Sequence, residues 1–120
     1  MPFAFLKPAG AQQDLTTVIP SSVTIGAGNT VLVGVSSHSI QSLKWIVTVK
    51  DIVTSTVGTY ELFIHNETGG AVKFSRTSIG DAIDHKVHLN QTGPNNDLEF
   101  SVENTGTNPI IITAAKILVF

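Results

Sequence analysis

A chain of 120 residues with no cysteine and a net charge of −2 fits one domain, and it excludes disulfide frameworks, thiolate metal sites and cysteine nucleophiles. Charged residues make up only 13% of it, against roughly 25% in average soluble proteins, while 42% is apolar. That balance offers no basic surface for nucleic acid and points to surface covered by protein neighbours.

Residues 1–14 read as an extended arm preceding a domain over 15–120. Within the arm, Phe3, Phe5 and Leu6 lie between Pro2 and Pro8, too short a segment to bury itself and too apolar to leave in water, which makes them interface candidates for a neighbouring subunit, with packing back onto their own domain as the alternative. The single cation, Lys7, follows these residues and no long apolar run precedes it, so no signal peptide is expected and the protein should stay where it is made. From Leu15 to Leu43 there is no Asp, Glu, Lys or Arg, yet Pro20, Gly26, Gly28 and Gly34 break the run, which argues against a membrane helix. No membrane partner is expected.

Val, Ile and Thr number 13, 12 and 14, about a third of the chain, and their branched Cβ atoms favour pleated surfaces. After a first strand near Thr16–Ile25, runs bounded by Gly, Asn, Asp or Pro predict strands over Val31–Ser36, Leu43–Lys50, Gly58–His65, Val72–Ser78, Asp84–Gln91, Leu98–Asn104 and Ile110–Val119. Period-two alternation groups Trp45, Val47 and Val49 on one face, Tyr60, Leu62 and Ile64 on another, and Leu98, Phe100 and Val102 on a third, with Glu99 and Glu103 outward. A helical turn is expected only at Thr77–Ala82. Seven or eight such strands make an all-β, two-sheet β-sandwich of jelly-roll or immunoglobulin-like topology. The last strand runs apolar to the C-terminus, which predicts a central or interface strand and adds Ile117, Val119 and Phe120 to the interface candidates.

No chemical site stands out. Asp81, Asp84, His85 and His88 are the densest group of possible metal ligands, but in a strand only even offsets share a face, so His85 and His88 point apart. Glu99 and Glu103 lie about 13 Å apart by strand rise, too far for a glycosidase pair. No Gly-x-Ser-x-Gly elbow or phosphate loop occurs. Neither an enzyme nor a cofactor or metal protein is therefore expected. Trp45, Tyr60 or Phe63 would be the stacking residues of a carbohydrate-binding module if they were exposed.

The spans Ser42–Asp51 and Thr56–His65, followed by Ile79–Val87 and Leu98–Thr105, resemble the β-rich domains of tailed-bacteriophage virion proteins in their short, uncharged strands rich in Val, Ile and Thr. The resemblance implies a virion accessory protein without catalytic residues, associating with itself as a homotrimer and with the major capsid protein or another virion protein. The leading expectation is a capsid decoration or cement subunit that stabilises the shell. The alternatives are a tail, neck or fibre subunit involved in host attachment and, from a different class, the carbohydrate-binding module.

Overall fold

The computed structural model describes residues 21–37, 42–67 and 72–118. Eight strands follow one another: β1 (Ser21–Ile25), β2 (Thr30–Ser36), β3 (Ser42–Asp51), β4 (Val57–Asn66), β5 (Val72–Gly80), β6 (Lys86–Thr92), β7 (Asp97–Glu103) and β8 (Ile110–Leu118). They form a five-stranded antiparallel sheet in the order β1-β8-β3-β4-β5 and a three-stranded one in the order β2-β7-β6. Among the described residues no helix is long and apolar enough to cross a membrane. The chain is thus an all-β two-sheet sandwich, as its alternation predicts.

The strand order separates the two expected topologies. An immunoglobulin sandwich would place the first, second, fifth and fourth strands in one sheet. Here the first strand pairs with the last and the second with the seventh, which are the outer nested pairs of a jelly roll. The departure is that β3 takes β4 as its second neighbour, so β4 and β5 extend the larger sheet. Strand β8 lies between β1 and β3 as a central strand, which suits a sequence apolar on both faces. The predicted helical turn at Thr77–Ala82 is absent: Thr77 to Gly80 complete β5, paired with Glu61 to Gly58 of β4, and Asp81 and Ala82 open an irregular connection. The β4 ladder claims the backbone groups that a helical turn would need.

The core is built from the faces that alternation singles out. Leu43, Trp45, Val47 and Val49 of β3 and Tyr60, Leu62 and Ile64 of β4 pack with Ile110, Ile112 and Ala114 of β8 against Leu98, Phe100 and Val102 of β7. The indole of Trp45 meets the Phe100 ring at 5.3 Å between centroids in a tilted arrangement. Room for it comes from Gly34, where a register shift in the β2–β7 pairing brings the glycine against the indole. Two polar ties link the sheets: Lys116 Nζ donates to the Val35 carbonyl at 2.9 Å, and Gln91 Nε2 donates to Asn66 Oδ1 at 2.8 Å.

The connections are set by side chains that hold turns. After β3, Asp51 Oδ1 accepts from the Val53 and Thr54 amides at 2.9 and 3.0 Å, and Ser55 takes a positive φ of 62°. Those bonds hold the Asp51 carboxyl below its ordinary value; the Thr54 amide contributes most, with Asn108 Nδ2 adding to it. Between β6 and β7, Gly93 and Asn96 both have positive φ, and the Asn96 amide donates to the Gly93 carbonyl.

Candidate functional site

Of the six interface candidates, Ile117 lies on the outer face of β8, half-buried and opposite Lys44 of β3. Phe3, Phe5, Leu6, Val119 and Phe120, with the arm, lie outside the described residues. The aromatic candidates divide. Trp45 and Tyr60 are 5% and 3% exposed, so neither can serve as a sugar platform, whereas Phe63 is 47% exposed on the outer face of β4. That division follows from the alternation, since Phe63 is out of phase with Tyr60, Leu62 and Ile64.

His85 and His88 do face apart. His88 Nε2 lies 3.0 Å from Glu103 Oε1 on the outer face of the small sheet. His85 turns inward, with Nδ1 2.6 Å from the Ile83 carbonyl and Nε2 3.1 Å from the Tyr60 hydroxyl. A carbonyl only accepts, so Nδ1 carries the hydrogen and Nε2 accepts from Tyr60. The Arg76 guanidinium lies over the Tyr60 ring at 3.9 Å. Burial pushes the Tyr60 phenol up to about 12, against the opposing Arg76 charge. Burial also holds the His85 imidazole below its ordinary 6.5, with the Arg76 charge acting the same way and the Ile83 bond and Asp84 opposing it.

The shift at His85 gives stability a pH dependence. Below about pH 6.5 the unfolded chain's imidazole takes a proton that the folded one resists, so the unfolded state binds more protons. Stability should therefore fall as pH drops through 6.5 towards the lower folded value. Urea titrations at about pH 7.5 and about pH 5 on the protein and on His85→Gln are expected to show a smaller pH loss in the variant. An equal loss in both would place the effect elsewhere.

A polar cleft of about 180 Å³ opens at one end of the sandwich, lined by Asp51, Thr56, Asp84, Asn104, Thr107 and Asn108 among others. Its groups are largely committed to one another. Asn108 Nδ2 donates to Asp51 Oδ2 at 3.0 Å, and buried Asn104 donates from Nδ2 to the Ile25 and Asn108 carbonyls at 3.0 and 2.8 Å and accepts from the Gly106 amide at 3.0 Å. Sequence patterning ends a strand at Asn104 and misses this buried amide, because nothing local distinguishes an inward asparagine from a surface one. Among the described residues no three His, Asp or Glu side chains are placed to hold a metal ion.

The more open surface is the outer face of the large sheet. A groove of about 450 Å³ runs between Lys44, Glu61, Phe63, Ser75 and Thr77, with Lys44 Nζ 3.8 Å from Glu61 Oε1. A smaller one of about 200 Å³ continues past Phe63 to His65, Lys73 and Phe74. Beyond them β5 ends the sheet: only three strands oppose five, so Phe74 on its inner face remains 54% exposed, while Ile79 on the outer face is 72% exposed. Aromatic and aliphatic groups are interleaved there with hydroxyls and few charges.

Fold and surface together define a jelly-roll-like sandwich whose large sheet presents an open, grooved outer face. The chain is similar in structure to part of the tailspike protein of Acinetobacter phage vB_ApiP_P1, with a TM-score of 0.57 and 12% identity over 98% of this chain and 24% of that one. It is also similar to part of a tailspike protein from the Acinetobacter baumannii bacteriophage Fri1, described as a capsular polysaccharide depolymerase, with a TM-score of 0.46 and 15% identity over 86% of this chain and 18% of that one. The chain thus spans a quarter or less of the length of either protein. No protein-family model and no curated protein matches the sequence.

Proposed function

We propose that the chain is a structural domain of a phage tail or spike, one that associates with itself and with other virion proteins. The observation that carries this reading is the likeness of nearly the whole chain, 98% of it, to part of a phage tailspike protein. It favours a tail, neck or fibre role ahead of capsid decoration, because the similar fold belongs to a tail component. The surface agrees. Exposed Phe63, Phe74 and Ile79 suit contact with protein, and the low charge suits repeated contacts between identical subunits. In this reading residues 1–14 act as a tether that binds a neighbouring virion protein through Phe3, Phe5 and Leu6, and threefold order is the expected state.

Immunogold labelling of virions tests the location: label at the tail or its spikes is the expected outcome, and label over the shell returns the decoration reading. Deletion of residues 2–8 should lower incorporation into particles while leaving the melting temperature within a few degrees of the parent. Unchanged incorporation would remove the tether.

A further inference from the structure

Three histidines lie among the described residues, and their surroundings differ. His65 and His88 each sit beside a carboxylate, Glu67 at 3.7 Å and Glu103 at 3.0 Å. His85 instead stacks on the Tyr60 ring at 5.6 Å between centroids and faces the hydroxyl that donates to it. The charged groups around it are Arg76 of β5, which lies over the same Tyr60 ring, and exposed Asp84 of its own connection.

This pattern of bonds requires the neutral ring. With Nδ1–H given to the Ile83 carbonyl, Nε2 is left to accept from the Tyr60 O–H. A proton on Nε2 makes it a donor, so Tyr60 has to turn its hydrogen away from its one hydrogen-bond partner among the described residues, in a side chain only 3% exposed. The new charge also stands in the field of Arg76, with Asp84 as its counterweight.

The ring holds the crossover from the large sheet to the small one. Residues 81–85 have no regular structure between β5 and β6. At their start the Asp81 amide donates to the Val57 carbonyl at 3.0 Å, and Asp81 Oδ2 accepts from the Val57 amide at 3.3 Å. At their end the tie is His85 on Tyr60. Between the two, half-buried Ile83 packs against the core, and Ala82, Ile83 and Asp84 form one wall of the polar cleft. The Asp51–Asn108 wall is held by a carboxyl that lies below its ordinary 3.8, so acid reaches it later.

We infer that His85 is an acid-released latch: on protonation its imidazole leaves Tyr60 and frees the 81–85 crossover at that end, opening the cleft on its Ala82–Asp84 side while both sheets stay folded. The latch does not rest on the phage reading. Once released, the imidazole regains its ordinary 6.5 and binds the proton more tightly than it does when latched. The ratio of released to latched crossover is therefore constant above about pH 6.5, rises by up to about tenfold per pH unit below it, and levels off beneath the lower latched value. Overall stability falls over the same range, so release has to be distinguished from unfolding.

Heteronuclear NMR of the full chain between about pH 8 and about pH 5, a range that spans the ordinary imidazole value, makes that distinction. The expected result is a His85 inflection below 6.5 at which the His85–Tyr60 ring NOEs disappear and the amide signals of Ala82, Ile83 and Asp84 move, while Val47 and Ala114, paired between β3 and β8, hold their shifts. His85→Gln, which cannot take the proton, is expected to abolish the movement of residues 82–84. Ring NOEs that survive the inflection would show the proton held in place, and loss of the Val47 and Ala114 signals together with those of residues 82–84 would leave only global unfolding. The same movement in His85→Gln would assign it to another group, and a ring still neutral at about pH 5 would leave the latch shut. Each of these four outcomes overturns the proposal.

Discussion

Replacing Asn104 with alanine is expected to lower the free energy of unfolding by about 2–4 kcal/mol, a large share of the total for a domain of this size. The side chain is fully buried and its amide serves three backbone groups, the carbonyls of Ile25 and Asn108 and the amide of Gly106. Ile25 ends β1 and Asn108 precedes β8, so one side chain joins the end of the first strand to the approach of its partner strand. The backbone of Asn104 adds to this, exchanging bonds with Gly28 and Asn29 in the turn that follows β1. Alanine would keep the backbone bonds and leave the three side-chain partners unsatisfied, the Ile25 carbonyl in a buried setting where water does not replace the lost donor. Asn104→Asp should be no milder: it retains an acceptor for Gly106 but turns carboxylate oxygen towards carbonyl oxygen. Urea denaturation should show a lower midpoint with an unchanged slope for both variants. A loss under about 1 kcal/mol for Asn104→Ala would mean that the turn rearranges to supply its own donors.

Much of this architecture is legible in the chain because the strands alternate cleanly. Trp45 with Val47 and Val49, and Leu98 with Phe100 and Val102, fall on the buried faces that period two predicts, and the strand limits follow Gly, Asn and Asp at the turns. Pairing across the chain is less legible. That Ser22 faces Thr113, close enough for their hydroxyls to bond at 2.9 Å, depends on the path of the whole chain and leaves no local trace. Strand β5 is the instructive case. Phe74 and Arg76 share one face and Lys73, Ser75 and Thr77 the other, so neither face is apolar and alternation is silent about its surroundings. The reason appears only in the assembled sandwich, where β5 overhangs a sheet two strands narrower. The most exposed strand of the sandwich is thus the one that sequence patterning describes least.

Gly34→Ala is expected to cost about 3 kcal/mol or more, at the upper end of overpacking effects. A Cβ at this position would fall 2.6 Å from Trp45 Cζ2 and closer still to Cη2. The indole has nowhere to retreat, since it is 5% exposed and already rests against Phe100. Moving the backbone instead would disturb the irregular β2–β7 pairing at Leu32 and Gly34, where Gly34 must stay opposite Phe100. A double-mutant cycle separates these two sources of strain. Trp45→Phe removes the ring that the methyl group strikes, and it also removes an indole N–H that is buried without a hydrogen-bond partner among the described residues, so its own cost should be below that expected from lost volume alone. In the combined variant alanine should cost at least about 1 kcal/mol less than it does beside tryptophan, a coupling readable in urea midpoints. Strict additivity would move the strain from the indole to the β2 backbone, making Gly34 a requirement of the bulge rather than of the core.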